Sequence, residues 1–511
     1  MISTLRHALS AFILFCSLSA GTAGEARITV IDDSVNQLTP ARIHLLSHRI
    51  LGNAQKPQRR FEMPSPSWHD HFVCDGRAVL DLPAGTHSCI VERGPEFTAA
   101  TNMFEIRDGG SRNVAVRLRR IANLAKEGWF SGETHVHRDS KDVELLMRAE
   151  DLHVAQVITW WNKRNLWKDD APLEAIKNFD GNRFYHVVSG EDERDGGALL
   201  YCDLGRPLDI TRGAQHFPSS LLYAKEARER GSKWIDAEKP FWWDFPMWVA
   251  HGVADTVGIA HNHMNRGGVL ENEAWGRARD REKYPAPQGN ALWTQQIYYH
   301  ALNCGLRLPP SAGSASGVLP NPVGYNRAYV HVEGPFTYQK WRDGLLAGRS
   351  FVSNGPLLRC RVNGQFPGHI FKSDRPIELT LDARLDSRDP IKSLEVVRNG
   401  IAEPISSPEA AGTARRDRPS FTMDRSGWFL VRAISDVTNT FRFASTAPWY
   451  VEIAGRPPAV PSESAQFFVD WCRQRIDILE KRPELSAAQK EQVLEPWRVA
   501  RKFWEAKLAS N

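Results

Sequence analysis

The stretch Gly128-Trp129-Phe130-Ser131-Gly132-Glu133-Thr134-His135-Val136-His137 decides how this 511-residue chain is read. A short apolar run leads into two histidines spaced i, i+2. In a β-strand, alternate side chains leave the same face, so His135 and His137 would point together into one cavity. Two imidazoles on one strand face are the start of a metal site. The motif is short, however, and a surface His-x-His with no ligand satisfies it equally. The segments downstream of it carry the decision.

From residue 122 to 357, strand and helix patterns alternate, which predicts βα units and an α/β core. Asp139 or Ser140 can cap a helix carrying Val143, Leu146, Ala149 and Leu152 on one face. Val154–Thr159, Tyr185–Glu191, Lys233–Glu238 and Val257–His261 read as strands. Leu221–Arg230 reads as a helix stopped by Gly231, and Ile297–Cys304 as another ending at Gly305. Residues 24–121 are patterned as short alternating strands, with a Pro83-Ala84-Gly85 turn between two of them, as in a small β-sandwich of the transthyretin or carboxypeptidase-regulatory kind. Residues 358–457 return to β pattern, with Asn399-Gly400 as a hairpin turn. A Pro-rich linker then leads into a helical tail, residues 458–511, in which Phe468, Trp471, Arg475 and Ile478 share a face. Ser486 and Gln489 form a candidate capping box for its second helix.

Composition bounds the function. With 42% hydrophobic and 24% charged residues, the chain has the make-up of an ordinary soluble multidomain protein. A net charge of +5 and the lack of a long basic cluster argue against nucleic acid as a partner. Residues 1–23, with Arg6, an apolar Ala8–Leu18 run and small residues after it, read as a secretory signal, which predicts a periplasmic or extracellular protein. That apolar run is shorter than the roughly 20 residues of a membrane span, and no other segment qualifies, so no transmembrane segment is expected in the mature chain. The six cysteines beyond the leader are scattered and form no Cys-x-x-Cys. They exclude a cysteine zinc site and leave either a Cys74–Cys89 pair or buried free thiols.

Residues 122–370 resemble the polymerase-and-histidinol-phosphatase (PHP) superfamily, and its CehA/McbA-like metallohydrolase branch in particular. Gly132–His137 stands at the family's Gly-Asp-Leu-His-x-His strand, Ile158-Thr159-Trp160-Trp161-Asn162 at its Thr-Asp-His-Asn, and Ser189-Gly190-Glu191 at a strand end that offers a glutamate. Ala237-Glu238-Lys239-Pro240 falls at Ala-His-Pro, and Gly313-Ser314-Ala315-Ser316-Gly317 at Gly-Ser-Asp-x-His. Asn326–Val330, Leu346–Arg349, Ser353–Pro356 and Val362–Gly364 match the closing segment. The resemblance implies a distorted (βα) barrel between two β-sandwiches. It also implies divalent metals that deliver metal-bound hydroxide to an ester, phosphoester or carbamate-type bond. Trp160, Trp161, Ala198, Ala315 and Gly317 stand where the family places metal ligands, and none of them can ligate.

Three functions are expected in competition. In the first, a reduced site holds a divalent cation (zinc, manganese or iron, about one per chain) with ligands drawn from His135, His137, Glu191, Glu238, His261 and His263. Lys239 and Arg194 then stabilise developing negative charge on a small-molecule substrate. In the second, a catalytically degenerate barrel binds a glycan or aromatic ligand among the ten tryptophans between Trp129 and Trp293. In the third, the chain is a structural or interaction protein of the cell envelope. A carboxylate pair, Glu191 and Glu193, on one strand face also admits glycosidase chemistry.

Overall fold

The computed structural model describes residues 23–46, 64–167, 170–406 and 415–509. Residues 1–22, which hold nearly all of the expected leader, lie outside that set. The described chain is mixed α/β and rich in sheet, with a helical C-terminal tail.

The stretch read first is strand β1 (Trp129–Val136), buried along almost its whole length. It runs parallel to β2 (Val154–Trp161), and β2 runs parallel to β3 (Arg183–Arg194). Both β2 and β3 are buried on both faces where they cross the core, as in a strand covered from two sides. β3 turns back antiparallel into β4 (Gly197–Cys202), which pairs antiparallel with β5 (Trp234–Ala237). β5, β6 (Thr256–Ala260) and β7 (Pro310–Ala312) then continue in parallel. On its other edge β1 pairs antiparallel with β8 (Arg327–His331), and β8 with β9 (Ser350–Ser353). Just beyond β7, Ser316 bridges Val136, and the His137 N–H donates to the Ser316 carbonyl at 2.8 Å. The far end of the sheet is thereby tied back to its first strand, at the histidines.

The regions before and after pack onto this core. The described residues 24–46 and 64–118 form two sheets of four and five strands that share one apolar core containing Ile28, Ile43, Phe72 and Leu80. The turn at Pro83-Ala84-Gly85 joins strands of different sheets: Arg77–Leu82 pairs with Gly24–Asp32, whereas Gly85–Glu92 pairs with Ala41–Leu45. Cys74 lies opposite Ala41 and Cys89 opposite Leu45, at the two ends of one strand, so the pairing of these thiols does not occur. All six described cysteines are free and buried. The break read at residue 357 is crossed by the sheet itself: β9 pairs with Phe443–Thr446, and Trp129, Tyr329 and Phe351 share a core with Leu379 and Val431.

The tail, Ser462–Glu480 and Ala487–Ala509, packs back on the α/β core. Trp471 Nε1 donates to the Trp243 carbonyl at 3.1 Å, Trp504 Nε1 to that of Pro246 at 3.1 Å, and Arg475 pairs with Asp195 at 2.8 Å. The capping box forms: Gln489 N–H donates to Ser486 Oγ at 3.3 Å, and Ser486 N–H to Gln489 Oε1 at 3.0 Å. Among the described residues no helix is long and apolar enough to cross a membrane.

Burial sets the acid response of this fold. It pushes His153 down to about 3 and His186 and His300 down to about 4, so each is neutral when folded near neutral pH. In the unfolded chain each titrates near 6.5. Between those values the unfolded state binds the extra protons, so stability is full above pH ~6.5 and falls as pH drops through the window toward 4. Three such groups impose a slope of up to about 4 kcal/mol per pH unit. Urea unfolding midpoints at pH 7, 6 and 5 should fall accordingly, and His153→Gln should flatten the dependence.

Candidate metal centre

His135 lies near the end of β1 and His137 one residue past it, and the pairing of β1 with β2 shifts register between Glu133 and Val136. Glu133 is fully buried and latches the strand to the segment after β7: its carboxylate accepts the Ser314 N–H at 2.6 Å and the Gly324 N–H. Burial pushes it up to about 7, against the pull of those two donors. The Ala315 N–H donates to the His135 carbonyl at 2.9 Å. The approach is close enough that a Cβ on Gly313 would lie 2.6 Å from His135 Cβ, and one on Gly317 would lie 2.6 Å from the His137 carbonyl oxygen. The backbone of 313–317 therefore fills the side of the site where the resemblance would place further ligands. A histidine at 317 could not stand there without displacing His137.

Three donors converge. His135 Nε2 and His137 Nε2 are 2.8 Å apart. Glu191 Oε2, from β3, lies 3.3 Å from the first and 3.1 Å from the second. Ligands of a tetrahedral ion held at about 2.0–2.1 Å stand about 3.3 Å from one another; the two edges to Glu191 are close to that, and the imidazole–imidazole edge is shorter. Glu191 Oε2 is buried and accepts no hydrogen bond from the described residues. His135 and Glu191 are almost wholly buried, while His137, Trp161 and Glu193 are partly exposed, so the group opens to solvent on the His137 side.

Glu238, expected as a ligand, stands elsewhere. Its Oε1 lies 3.2 Å from His135 Nδ1, the ring nitrogen facing away from the triangle, and it acts there as the carboxylate that orients the imidazole. Its Oε2 is ion-paired with Lys239 and accepts from Trp242 Nε1 at 3.1 Å. Lys239 is buried, with its Nζ 4.3 Å from the centre of the Trp242 ring. Its charge is thus spent on Glu238 and the indole face. Burial alone would lower His135, but Glu191 and Glu238 outweigh it and push the ring up to about 10. Burial lowers His137, though Glu191 pulls the other way. Burial would raise Glu191, yet the two imidazoles hold it well below the usual carboxylate range. These shifts favour a protonated His135 beside a neutral His137 and an ionised Glu191. Burial and the neighbouring Glu191 push Glu193 up to about 7, and its Oε2 accepts from Trp161 Nε1 at 3.2 Å.

The other expected residues are turned away. Arg194 is one residue out of phase with Glu191 and Glu193 on β3, so it leaves the opposite face. It forks onto Asp192 at 2.7 Å through both Nε and Nη2, and Nη1 donates to the Pro218 carbonyl at 2.6 Å. Both nitrogens of His261 are engaged: Nδ1 accepts the His263 N–H at 3.2 Å, and Nε2 meets Thr294 Oγ1 at 2.8 Å. His263 packs against the Phe241 ring at 5.5 Å. Neither joins the triangle. Trp160 is core: its Nε1 donates to the Val188 carbonyl at 2.9 Å, and its ring occupies the space beside Gly190, where a Cβ would come within 1.9 Å. Trp161 alone of the pair borders the site, 4.7 Å from His137 ring to ring. Of the ten tryptophans from Trp129 to Trp293, six are buried: Trp129, Trp160, Trp234, Trp242, Trp248 and Trp293.

Sequence reasoning passed over a second constellation, His44, Asp70 and His71, whose donor atoms also lie within 4.8 Å of one another. Arg42 Nε approaches His44 Nε2 at 3.0 Å and Arg266 Nη2 approaches His44 Nδ1 at 3.1 Å. Two guanidiniums on one imidazole oppose a cation there. The signal in the sequence was His69-Asp70-His71, another His-x-His with a carboxylate between. Compared with known proteins, this chain matches no family model and no curated protein.

The Trp160–Gly190 contact is tight enough to test. Gly190→Ala should cost about 3 kcal/mol, the upper end for overpacking, measured by urea denaturation. Trp160→Leu in the same chain should recover part of that loss, because the two sites share one space.

Proposed function

We propose that the chain is an exported metal-dependent hydrolase on a PHP-like barrel, acting on an ester, phosphoester or carbamate-type bond of a small-molecule substrate. Its metal cluster is reduced to one cation held by His135, His137 and Glu191. The observation that carries this reading is the convergence of two imidazole nitrogens and a carboxylate oxygen, all within 3.3 Å of one another, in a buried triangle. Mixed imidazole and carboxylate donors suit zinc, manganese or iron. Three protein ligands leave a position open for catalysis.

When bound, such a cation polarises the scissile group and lowers the pKa of water. The chain's own residues supply the rest. Glu238 fixes the rotation of His135 through Nδ1, and Lys239 with Trp242 keeps Glu238 ionised and in place. Glu193, held by Trp161 Nε1 and titrating near neutrality, holds or releases a proton at its carboxylate on the open side of the site. His137 and Trp161 form the rim against which a substrate lies.

Purified without chelator, the protein should carry about one divalent cation per chain by elemental analysis, and His135→Ala/His137→Ala should carry none. Glu238→Gln should keep the site but bind metal about 10–100-fold more weakly, as loss of an orienting carboxylate does. Manganese- or zinc-loaded protein should hydrolyse generic nitrophenyl esters or phosphoesters, and Glu193→Gln should lower kcat by about 100-fold or more with metal content unchanged. A folded protein that stays metal-free and takes up neither manganese nor zinc would overturn the reading.

A further inference from the structure

Away from the histidines, the amino-terminal sheets, the α/β core and the carboxy-terminal strands meet around a small cleft of about 50 Å³. Five guanidiniums line it, from Arg42, Arg266, Arg327, Arg388 and Arg442. Its lining carboxylates are three: Glu92, Glu150 and Asp389.

Most of these charges are matched. Arg42 is ion-paired with Glu150 and lies 2.8 Å from Glu92. Arg327 is buried and donates to the carbonyls of Gly324 and Glu150 at 2.5 and 3.0 Å. Arg442 Nη1 meets both oxygens of Asp389, at 2.8 and 3.0 Å. Arg266 is drawn to Asp70, which lies outside the lining, at 2.8 Å.

Arg388 is left over. Its single ion pair among the described residues, from Nη1 to Glu92 at 3.3 Å, is with a carboxylate already serving Arg42. Its Nε and Nη2 are buried and donate to none of the described residues, and Arg442 Nε is in the same condition. An unpaired buried donor on a charged group costs more than a neutral one, and the repulsion of neighbouring guanidiniums adds to that cost. Nε and Nη2 are the two donors of the side-on fork by which arginine grips two oxygens of one oxyanion.

We propose that this junction is a binding site for a small oxyanion of the sulfate or phosphate class, gripped side-on by Arg388 Nε and Nη2. The anion supplies the negative charge that the lining lacks and joins the three regions of the chain. The site is separate from the histidine triangle and does not depend on the function read there.

Equilibrium dialysis of the full-length protein against labelled inorganic sulfate, with ionic strength held by chloride, tests this directly. About one sulfate per chain should bind, phosphate should compete for it, and the thermal midpoint should rise with the logarithm of sulfate concentration, by about 2–4 °C at about 100 times the dissociation constant. Arg388→Gln should abolish both the binding and the rise. Arg388→Lys keeps the charge but loses the fork, and should weaken binding at least tenfold. His135→Ala/His137→Ala should bind sulfate as the wild type does. No bound sulfate on the wild type, or an equal rise in Arg388→Gln, would overturn the proposal. If Arg388→Gln does not fold, the wild-type dialysis decides the matter alone.

Discussion

Two imidazole nitrogens 2.8 Å apart in a buried site cannot both keep unshared lone pairs facing each other. Something positive must lie between them: a proton, or a cation with an ionised glutamate beside it. Much of the surrounding structure serves to hold that contact. The end of β1 presents both rings, β3 brings Glu191 across, and the backbone after β7 closes in until only glycine fits at 313 and 317. Glu133 fastens that closure by accepting two backbone N–H groups. A site pinned this way loses little entropy when it takes up an ion, because the donors are ordered beforehand.

The electrostatics around the contact are layered. Glu191 faces the imidazole edges, Glu238 faces the back of His135, and Lys239 faces the back of Glu238. Charges alternate outward until the Trp242 ring ends the series with its negative face. Such alternation lets several ionisable groups stay charged with little water. It also separates roles: carboxylates of similar chemistry divide into one that meets the triangle, one that orients a ring and, in Glu193, one that carries a proton near neutral pH. The environment made that division, since the three are the same residue type.

Much of this could be read in the chain. The His-x-His spacing put both rings on one face once a strand was assumed, and Glu191 came from the resemblance of Ser189-Gly190-Glu191 to a strand end that offers a glutamate. The strands of residues 24–118 were legible by alternation, although His71–Cys74 and Ala100–Ile106 were not singled out. The continuous sheet across residue 357 was not legible, because hydrogen bonding between β9 and Phe443–Thr446 joins segments about ninety residues apart and leaves no local mark. His261-x-His263 shows the limit of spacing as a guide. It repeats the pattern of His135 and His137, yet it comes after β6 in a turn, where Thr294 and a backbone N–H use up the His261 ring.

The sequence by itself determined the period of each strand, hence that Glu191 and Glu193 share a face, whereas the turning of Arg194 to Asp192 came from the structure. The sequence also determined that the positions held by Ala198, Ala315 and Gly317 offer no ligand, since no fold can make those residues coordinate. Only the tertiary structure decided that Glu238 meets His135 from behind, that Lys239 is spent on Glu238, and that Trp160 fills space beside Gly190. It alone gathered five arginines from three regions around one cleft. The physical reason is the range of the forces involved. Pleat and turn preferences act over a few residues and are written locally. Which buried charges face one another depends on how distant strands pack, and that is fixed only when the whole sheet closes.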